Sequence, residues 1–112
     1  MTDLNTLCAV PGALAAFRYA DNGQLVESQI TDDTAIDQDT LDLLGHLCVA
    51  NTAIGQMQAR GWEGLSDVKG FYPVKGFTFV GLDWSTVSQD GYAVVMDNDE
   101  ADFDAATRAL GG

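Results

Sequence analysis

Two features between residues 42 and 48 could support acid–base or sulfur chemistry. Asp42 and His46 are four residues apart, so on a helix they would share one side and could form an acid–base pair. Cys48 could act as a nucleophile or a persulfide carrier if a cation or a helix N-terminus lowered its pKa. The simpler interpretation makes Asp42 and His46 an exposed i,i+4 pair and Cys48 a small core residue. A redox or sulfur-handling protein that uses Cys48 is one alternative function.

An acidic run near the C-terminus has some features of a calcium-binding loop. Its members are Asp97, Asp99, Glu100, Asp102 and Asp104. The run lacks the glycine at the sharp turn and the closing glutamate of the EF-hand spacing, and acids at the start of a helix explain it better. The chain has one His and two Cys, without a Cys-x-x-Cys motif. We therefore predict no catalytic residue, no metal site and no cofactor.

The best candidate for a binding surface is the segment in which aromatic and cationic residues gather. The candidate partner-binding residues are Arg60, Trp62, Lys69, Phe71, Tyr72 and Lys75. Cations and aromatics on an irregular segment suit recognition of a protein or an anionic ligand. Alternatively, the aromatics, with Phe77, fill the core, and the lysines protect an edge strand from aggregation. The sequence leaves both interpretations open.

Length and charge set the limits for these hypotheses. A chain of 112 residues predicts a single domain over residues 1–112, and a hydrophobic content of 46% argues against disorder. The net charge of −12 would repel phosphate backbones and anionic lipids, so we expect no nucleic-acid and no membrane partner. A host with an acidic proteome would also explain this charge. Without a long apolar run or a basic N-terminal region, we expect a cytoplasmic protein.

The element that must position most of these residues is a long helix predicted from Asp37 to Arg60, with Gly61 as its stop. Two apolar stripes follow its helical repeat. The first, the predicted dimer interface, comprises Leu43, Leu47, Ala50, Ile54 and Met57. The second comprises Leu44, Cys48, Thr52, Gly55 and Ala59. One sheet requires only one stripe, so the other predicts contact with a second copy, with small residues such as Gly45 allowing close approach. The alternative is a helix enclosed by its own sheet and neighbouring helices.

The remaining elements predict an α+β fold: a single five-stranded antiparallel sheet with the long central helix and two flanking terminal helices. Asp3 begins the first helix, which Pro11-Gly12 ends, and Asp21-Asn22-Gly23 forms a hairpin turn. The predicted strands cover 13–19, 24–30 (a candidate edge strand), 76–82, 84–88 and 92–96. Residues 62–75 are predicted as one irregular strand or as two strands joined at Pro73. A last helix places Phe103, Ala106 and Leu110 on one face.

This order resembles the roadblock/dynein-light-chain superfamily, whose fold is profilin-like. The residues that carry the resemblance are Leu4-x-x-Leu7-x-x-Val10-Pro11-Gly12, Ala15-Ala16-Phe17 and Asp21-Asn22-Gly23-Gln24-Leu25-Val26. More narrowly, the chain resembles a bacterial family of uncharacterised, stand-alone roadblock-like proteins. The matching stretches are Cys48-Val49-Ala50-Asn51-Thr52, Gly55-x-Met57-Gln58, Pro73-Val74-Lys75-Gly76-Phe77 and Ala101-Asp102-Phe103.

The resemblance implies a homodimer in which the long helix packs beside its twin and the third strand joins its counterpart. It also implies a non-enzymatic scaffold or regulator that docks protein partners, including small GTPases in bacteria. The narrower family brings no catalytic residue, and nothing in the chain resembles a nucleotide-binding loop. A small-ligand sensor is a second alternative, since profilin-like folds with pockets beside the sheet bind metabolites.

Overall fold

The computed structural model describes residues 3–31 and 36–111 and contains three helices and five strands over these ranges. The elements are α1 (Leu4–Cys8), β1 (Ala13–Tyr19), β2 (Leu25–Ile30), α2 (Gln38–Ser66), β3 (Gly76–Val80), β4 (Trp84–Gln89), β5 (Tyr92–Asp97) and α3 (Phe103–Gly111). The strands form one antiparallel sheet in the order β2-β1-β5-β4-β3. The predicted fold class is confirmed, and β2 is an edge strand as predicted.

The turn chemistry follows the sequence closely. The Asp3 carboxylate accepts a hydrogen bond from the backbone N–H of Thr6 at 2.7 Å and caps α1. Gly23 adopts φ +90° in the β1–β2 turn, where a residue with a Cβ would be strained. The Asn22 side chain accepts the N–H of Gln24 there. These local bonds fix the register of β1 against β2.

The sheet separates two cores. The first lies under α1 and α3 and comprises Leu7, Val10, Ala16, Val87, Val94, Met96, Ala106 and Leu110. The second lies under α2 and comprises Ala15, Phe17, Ile36, Leu41, Cys48, Ala93 and Val95. Since neighbouring strand residues point to opposite faces, the buried run from Ala15 to Phe17 contributes to both cores. The molecule is therefore a three-layer sandwich with helices on both faces.

The long helix continues beyond its predicted end. It begins after Asp37, whose carboxylate accepts the N–H of Thr40 at 2.9 Å, and it ends at Ser66. Gly61 remains helical, and the left-handed residue that ends α2 is Asp67, with φ 56°. A glycine stops a helix only where the chain turns left-handed, so the predicted stop at Gly61 is wrong. The strands predicted within residues 62–75 are also wrong, because the structure has the last turns of α2 there, followed by an irregular segment.

Candidate functional site

The predicted dimer stripe lies on the side of α2 that faces away from the sheet. We call Leu43, Leu47, Ala50, Ile54 and Met57 the outer face. All five are exposed, and the exposed fractions of Leu43 and Met57 are both 67%. Leu41 and Cys48, on the opposite side of the helix, are buried in the second core. The outer face is thus an apolar surface that the described part of the chain leaves uncovered.

Two glycines of α2, Gly45 and Gly55, face other parts of the same chain. A Cβ at Gly45 would lie 2.6 Å from the carbonyl oxygen of Gly23, so the helix touches the β1–β2 turn there. The Thr52 hydroxyl donates to the carbonyl oxygen of Cys48 at 2.8 Å. A Cβ at Gly55 would meet the side chain of Val74 at 3.7 Å. The close approach at Gly45 therefore occurs within one chain, between the helix and the β1–β2 turn.

Glu63 organises the segment that follows α2. Its Oε2 atom accepts the backbone N–H groups of Gly70 at 2.8 Å, Phe71 at 2.8 Å and Tyr72 at 3.0 Å. These hydrogen bonds, chiefly those from Tyr72 and Phe71, hold the pKa of the Glu63 carboxyl below its ordinary value. The three N–H groups converge on one carboxylate oxygen, as in an anion-binding nest. The consequence is a turn at residues 70–72 that is fixed to the last turns of the helix.

Two further contacts hold the same segment on α2. The Gln56 side chain donates to the carbonyl oxygen of Val74 at 3.2 Å and accepts the Val74 N–H at 2.9 Å. The Arg60 guanidinium lies over the Tyr72 ring, 5.3 Å from its centroid. This distance is within the range for a cation–π interaction. The segment is therefore tied to three successive turns of the helix.

Between the helix and this segment is an apolar pocket of about 540 Å³, lined by Gly55, Gln58, Ala59, Trp62, Phe71 and Val74. The exposed fractions of Trp62 and Phe71 are 57% and 51%. Tyr72 is exposed too, whereas Phe77 packs against the second core. The alternative in which the aromatics fill the core thus holds for Phe77 alone. Trp62, Phe71 and Tyr72 stand beside one end of the outer face.

The two candidate lysines lie on either side of Phe71 and Tyr72 along the chain. Lys69 is exposed on the irregular segment, where its charge acts on the Glu63 carboxylate. Lys75 directly precedes β3, which is an edge strand. In the ranges that the structure describes, Lys75 has no ion pair. Its position fits either a binding role or the protection of an edge strand.

A second, more polar cavity of about 610 Å³ lies between α2 and the β1–β2 and β4–β5 turns. Arg18, Tyr19, Gln56, Lys75 and Ser88 are among its lining residues. The Tyr19 hydroxyl and the Ser88 hydroxyl are 2.6 Å apart, and Ser88 donates in turn to the carbonyl oxygen of Tyr92 at 3.2 Å. The cavity combines hydroxyl, amide and cationic groups with the carboxylates of Asp21 and Asp90, which is a lining suited to a small polar ligand.

The residues first considered for chemistry have structural roles. Cys48 is 2% exposed, and burial raises the pKa of its thiol, which disfavours the reactive thiolate. The Asp42 carboxylate accepts the N–H of Leu25 at 3.0 Å and so ties α2 to the start of β2. His46 Nδ1 lies 2.7 Å from the Asp42 carbonyl oxygen but 4.0 Å from its carboxylate. Sequence reasoning missed the bond from Asp42 to β2, because it joins residues 17 positions apart.

The acidic run acts mainly in turns and helix capping. The Asp97 carboxylate accepts the N–H of Asp99, and the Asp102 carboxylate accepts the N–H of Ala105 at the start of α3, both at 3.0 Å. Within residues 3–31 and 36–111, no group of three or more His, Cys, Asp or Glu side chains is placed to hold a metal ion. Over the same ranges, no helix is both long and apolar enough to cross a membrane.

The comparisons with known proteins agree with this geometry. The family model described as "Uncharacterized conserved protein (DUF2173)" matches residues 3–112. No curated protein matches the chain. Similar solved structures include "MglB with tetrameric arrangement", with a TM-score of 0.71 and 17% identity over 95% of this chain and 75% of that one. A roadblock/LC7 domain from Streptomyces avermitilis has a TM-score of 0.70 and 16% identity, over 96% of this chain and 85% of that one.

The gliding protein MglB from Thermus thermophilus has a TM-score of 0.70 and 17% identity, over 95% of this chain and 76% of that one. At such low identity, these likenesses establish the fold. The resemblance to the roadblock superfamily is confirmed at the level of the fold.

Proposed function

The chain belongs to the DUF2173 family and has the roadblock/LC7 fold, and we propose that it is a non-enzymatic, homodimeric module that binds other proteins as a scaffold or regulator. The observation that carries the proposal is the outer face. Monomeric proteins rarely leave a contiguous apolar surface of this kind open to water. A second copy is the simplest cover, because most homo-oligomers are two-fold and use the same patch on both subunits.

The dimensions of the outer face fit a helix-to-helix contact. From Leu43 to Met57 it extends about 21 Å along the axis, at about 1.5 Å per residue. Two helices pack at about 8–10 Å between axes when apolar ridges interdigitate. β3, at the sheet edge, has one side free to pair with its counterpart. The tetrameric arrangement of the similar MglB structure provides a precedent for assembly through this fold.

The proposed partner surface comprises Arg60, Trp62, Lys69, Phe71, Tyr72 and Lys75. Trp, Tyr and Arg dominate the binding energy of many protein interfaces. Glu63 and Gln56 hold the segment in place before any partner arrives, which lowers the entropy lost on binding. The roadblock resemblance favours a protein partner of the small-GTPase class.

The oligomeric state tests the first half of the proposal. Light scattering at micromolar concentration should give about twice the chain mass of 11.9 kDa. Ile54→Arg should give monomers, because it buries an unpaired charge in the interface. Val26→Arg is the matched control: Val26 is 47% exposed on β2, at the opposite edge from β3, and Ile54 is 53% exposed. A wild-type monomer, or a Val26→Arg protein that dissociates equally, would contradict the proposal.

Co-purification from the native organism tests the second half. The wild-type protein should retain a partner that Trp62→Ala loses, since the indole ring supplies much of the exposed apolar area of the surface. Leu65→Ala, which removes an exposed apolar side chain from the same helix, is the control. If Trp62→Ala retains the same proteins in the same amounts while remaining a dimer, the partner surface lies elsewhere.

A second candidate function, the sensing of a small polar ligand, is favoured by the cavity of about 610 Å³ beside Tyr19 and Lys75. A ligand at a hundredfold excess over its Kd stabilises the native state by about 2.7 kcal/mol. A thermal-shift screen against nucleotides and organic acids would show this as a raised Tm. The rise should be smaller in Lys75→Met. A flat response across the screen would argue against this function.

A further inference from the structure

The tip of the β3–β4 hairpin, at the end of the edge strand β3, exposes large apolar side chains outside both the outer face and the proposed partner surface. We call Val80, Leu82 and Trp84 the hairpin tip. Their exposed fractions are 68%, 94% and 39%. They lie at the far end of β3, about 13 Å along the strand from Gly76 at a rise of about 3.3 Å per residue. The contact between Gly55 of α2 and Val74 is on the Gly76 side, so the hairpin tip is distinct from the outer face.

The hairpin tip is held rigidly, which separates it from an ordinary mobile loop. The Asn98 side chain donates to the carbonyl oxygens of Gly81 at 2.9 Å and Leu82 at 3.1 Å. It also accepts the hydroxyl of Ser85, which is 1% exposed, at 2.5 Å. The Asn98 N–H donates to the Asp83 carbonyl oxygen at 2.9 Å. The side chain and backbone of Asn98 thus fix the turn, with Leu82 exposed to water. Because the turn is already ordered, little conformational entropy is lost when a ligand covers Leu82.

Acidic residues lie beside the hairpin tip. They are Asp83, Asp97, Asp99 and Glu100, and no Lys or Arg occurs in residues 76–107. Asp83 lies within the turn, and Asp97 is opposite Trp84 in the β-ladder. Asp99 and Glu100 are exposed in the turn to which Asn98 belongs. The apolar hairpin tip is therefore surrounded by negatively charged side chains.

This charge decides between possible occupants. A two-fold contact between two such tips would place acids against acids, and an anionic lipid surface would be repelled as well. A basic surface with an apolar anchor would instead gain from both burial and attraction. We propose that the hairpin tip docks a segment of another protein that carries one or two apolar side chains flanked by Lys or Arg.

Fluorescence anisotropy with a labelled amphipathic peptide of leucine and lysine tests this docking site. The full-length protein should bind the peptide, and binding should weaken as sodium chloride rises. Leu82→Asp should weaken it about tenfold or more, because the apolar anchor is lost. That variant also adds a negative charge, which alone would strengthen binding. Val26→Asp, with the same added charge on the β2 edge, should bind the peptide at least as well as the wild type.

Two double variants that each remove two negative charges separate the effect of charge beside the tip from the effect of overall charge on peptide binding. Asp99→Asn with Glu100→Gln should weaken binding, whereas Asp21→Asn with Asp39→Asn should change it little, because only the first pair lies beside the tip. Undetectable binding to the wild type, or equal binding by Leu82→Asp, would overturn the proposal. So would dissociation of the Leu82→Asp protein in light scattering, which would assign the tip to self-association. Failure of the dimer itself would leave the docking result unchanged, so the two proposals can fail separately.

Discussion

The Glu63 carboxylate accepts three backbone N–H groups and thereby sets the position of Phe71 and Tyr72 on the candidate binding surface. Its partners are seven to nine residues away along the chain. Local patterns of capping reach only three or four residues, so they do not indicate this contact. It forms only because α2 passes Gly61 and carries Glu63 to the turn.

Glu63 gives a prediction about pH. Its folded pKa is lowered from the ordinary 4.5, so its stabilising effect is complete above that value and is lost as the pH falls through the folded pKa. Near neutral pH, Glu63→Gln should be less stable than the wild type in urea unfolding. The difference should shrink below about pH 4.5 and vanish at lower pH. Glu100→Gln, at an exposed turn, is the control, and a difference for Glu63→Gln that stays constant with pH would contradict this role.

Cys48 gives a prediction about reactivity. The thiol is buried and its pKa is raised by desolvation, so alkylation near neutral pH should be far slower in the folded protein than in urea. Intact-mass spectrometry of a Cys8→Ser variant would count labelling at Cys48 alone. Rapid labelling of the folded variant would revive the sulfur-handling alternative.

The packing of α2 on the β1–β2 turn depends on Gly45, and two glycines of the same helix allow a matched test. A Cβ at Gly45 would clash with the Gly23 carbonyl oxygen, whereas nothing lies within 4 Å of a Cβ at Gly64. Gly45→Ala should lower the free energy of unfolding by about 1–3 kcal/mol. Gly64→Ala should raise it by about 0.5–1 kcal/mol through helix propensity. Urea unfolding at one protein concentration measures both, and equal effects would refute the close approach.

Most elements could be predicted because their causes are local. The turn at Gly23, the cap at Asp3 and the buried strand β5 depend on neighbouring residues. The end of α2 could not be predicted, because glycine permits a left-handed turn without requiring one, and Asp67 makes the turn instead. Among the candidate site residues, the stripe from Leu43 to Met57 has the exposure expected of an interface. The pocket at Trp62 needed long-range contacts that no spacing in the sequence shows.

On the scale of the whole molecule, the apolar outer face and the net charge of −12 oppose each other. Burial of the outer face favours association, in proportion to the apolar area removed from water. Two acidic chains repel one another over distances set by the ionic strength. The described part of the chain measures 46 × 30 × 27 Å. The Debye length is about 30 Å at 0.01 M salt, so at low salt the charges on both subunits contribute to the repulsion.

This balance predicts that salt strengthens the dimer. Raising sodium chloride from about 0.01 M to about 0.15 M shortens the Debye length to about 8 Å, which screens the repulsion and leaves the apolar contact nearly unchanged. The dissociation constant from sedimentation equilibrium should therefore fall over this range. Leu47→Ala should weaken association at every salt concentration without altering the salt dependence, since it removes apolar area and no charge. A dissociation constant that rises with salt would show instead that ion pairs across the interface hold the two copies together.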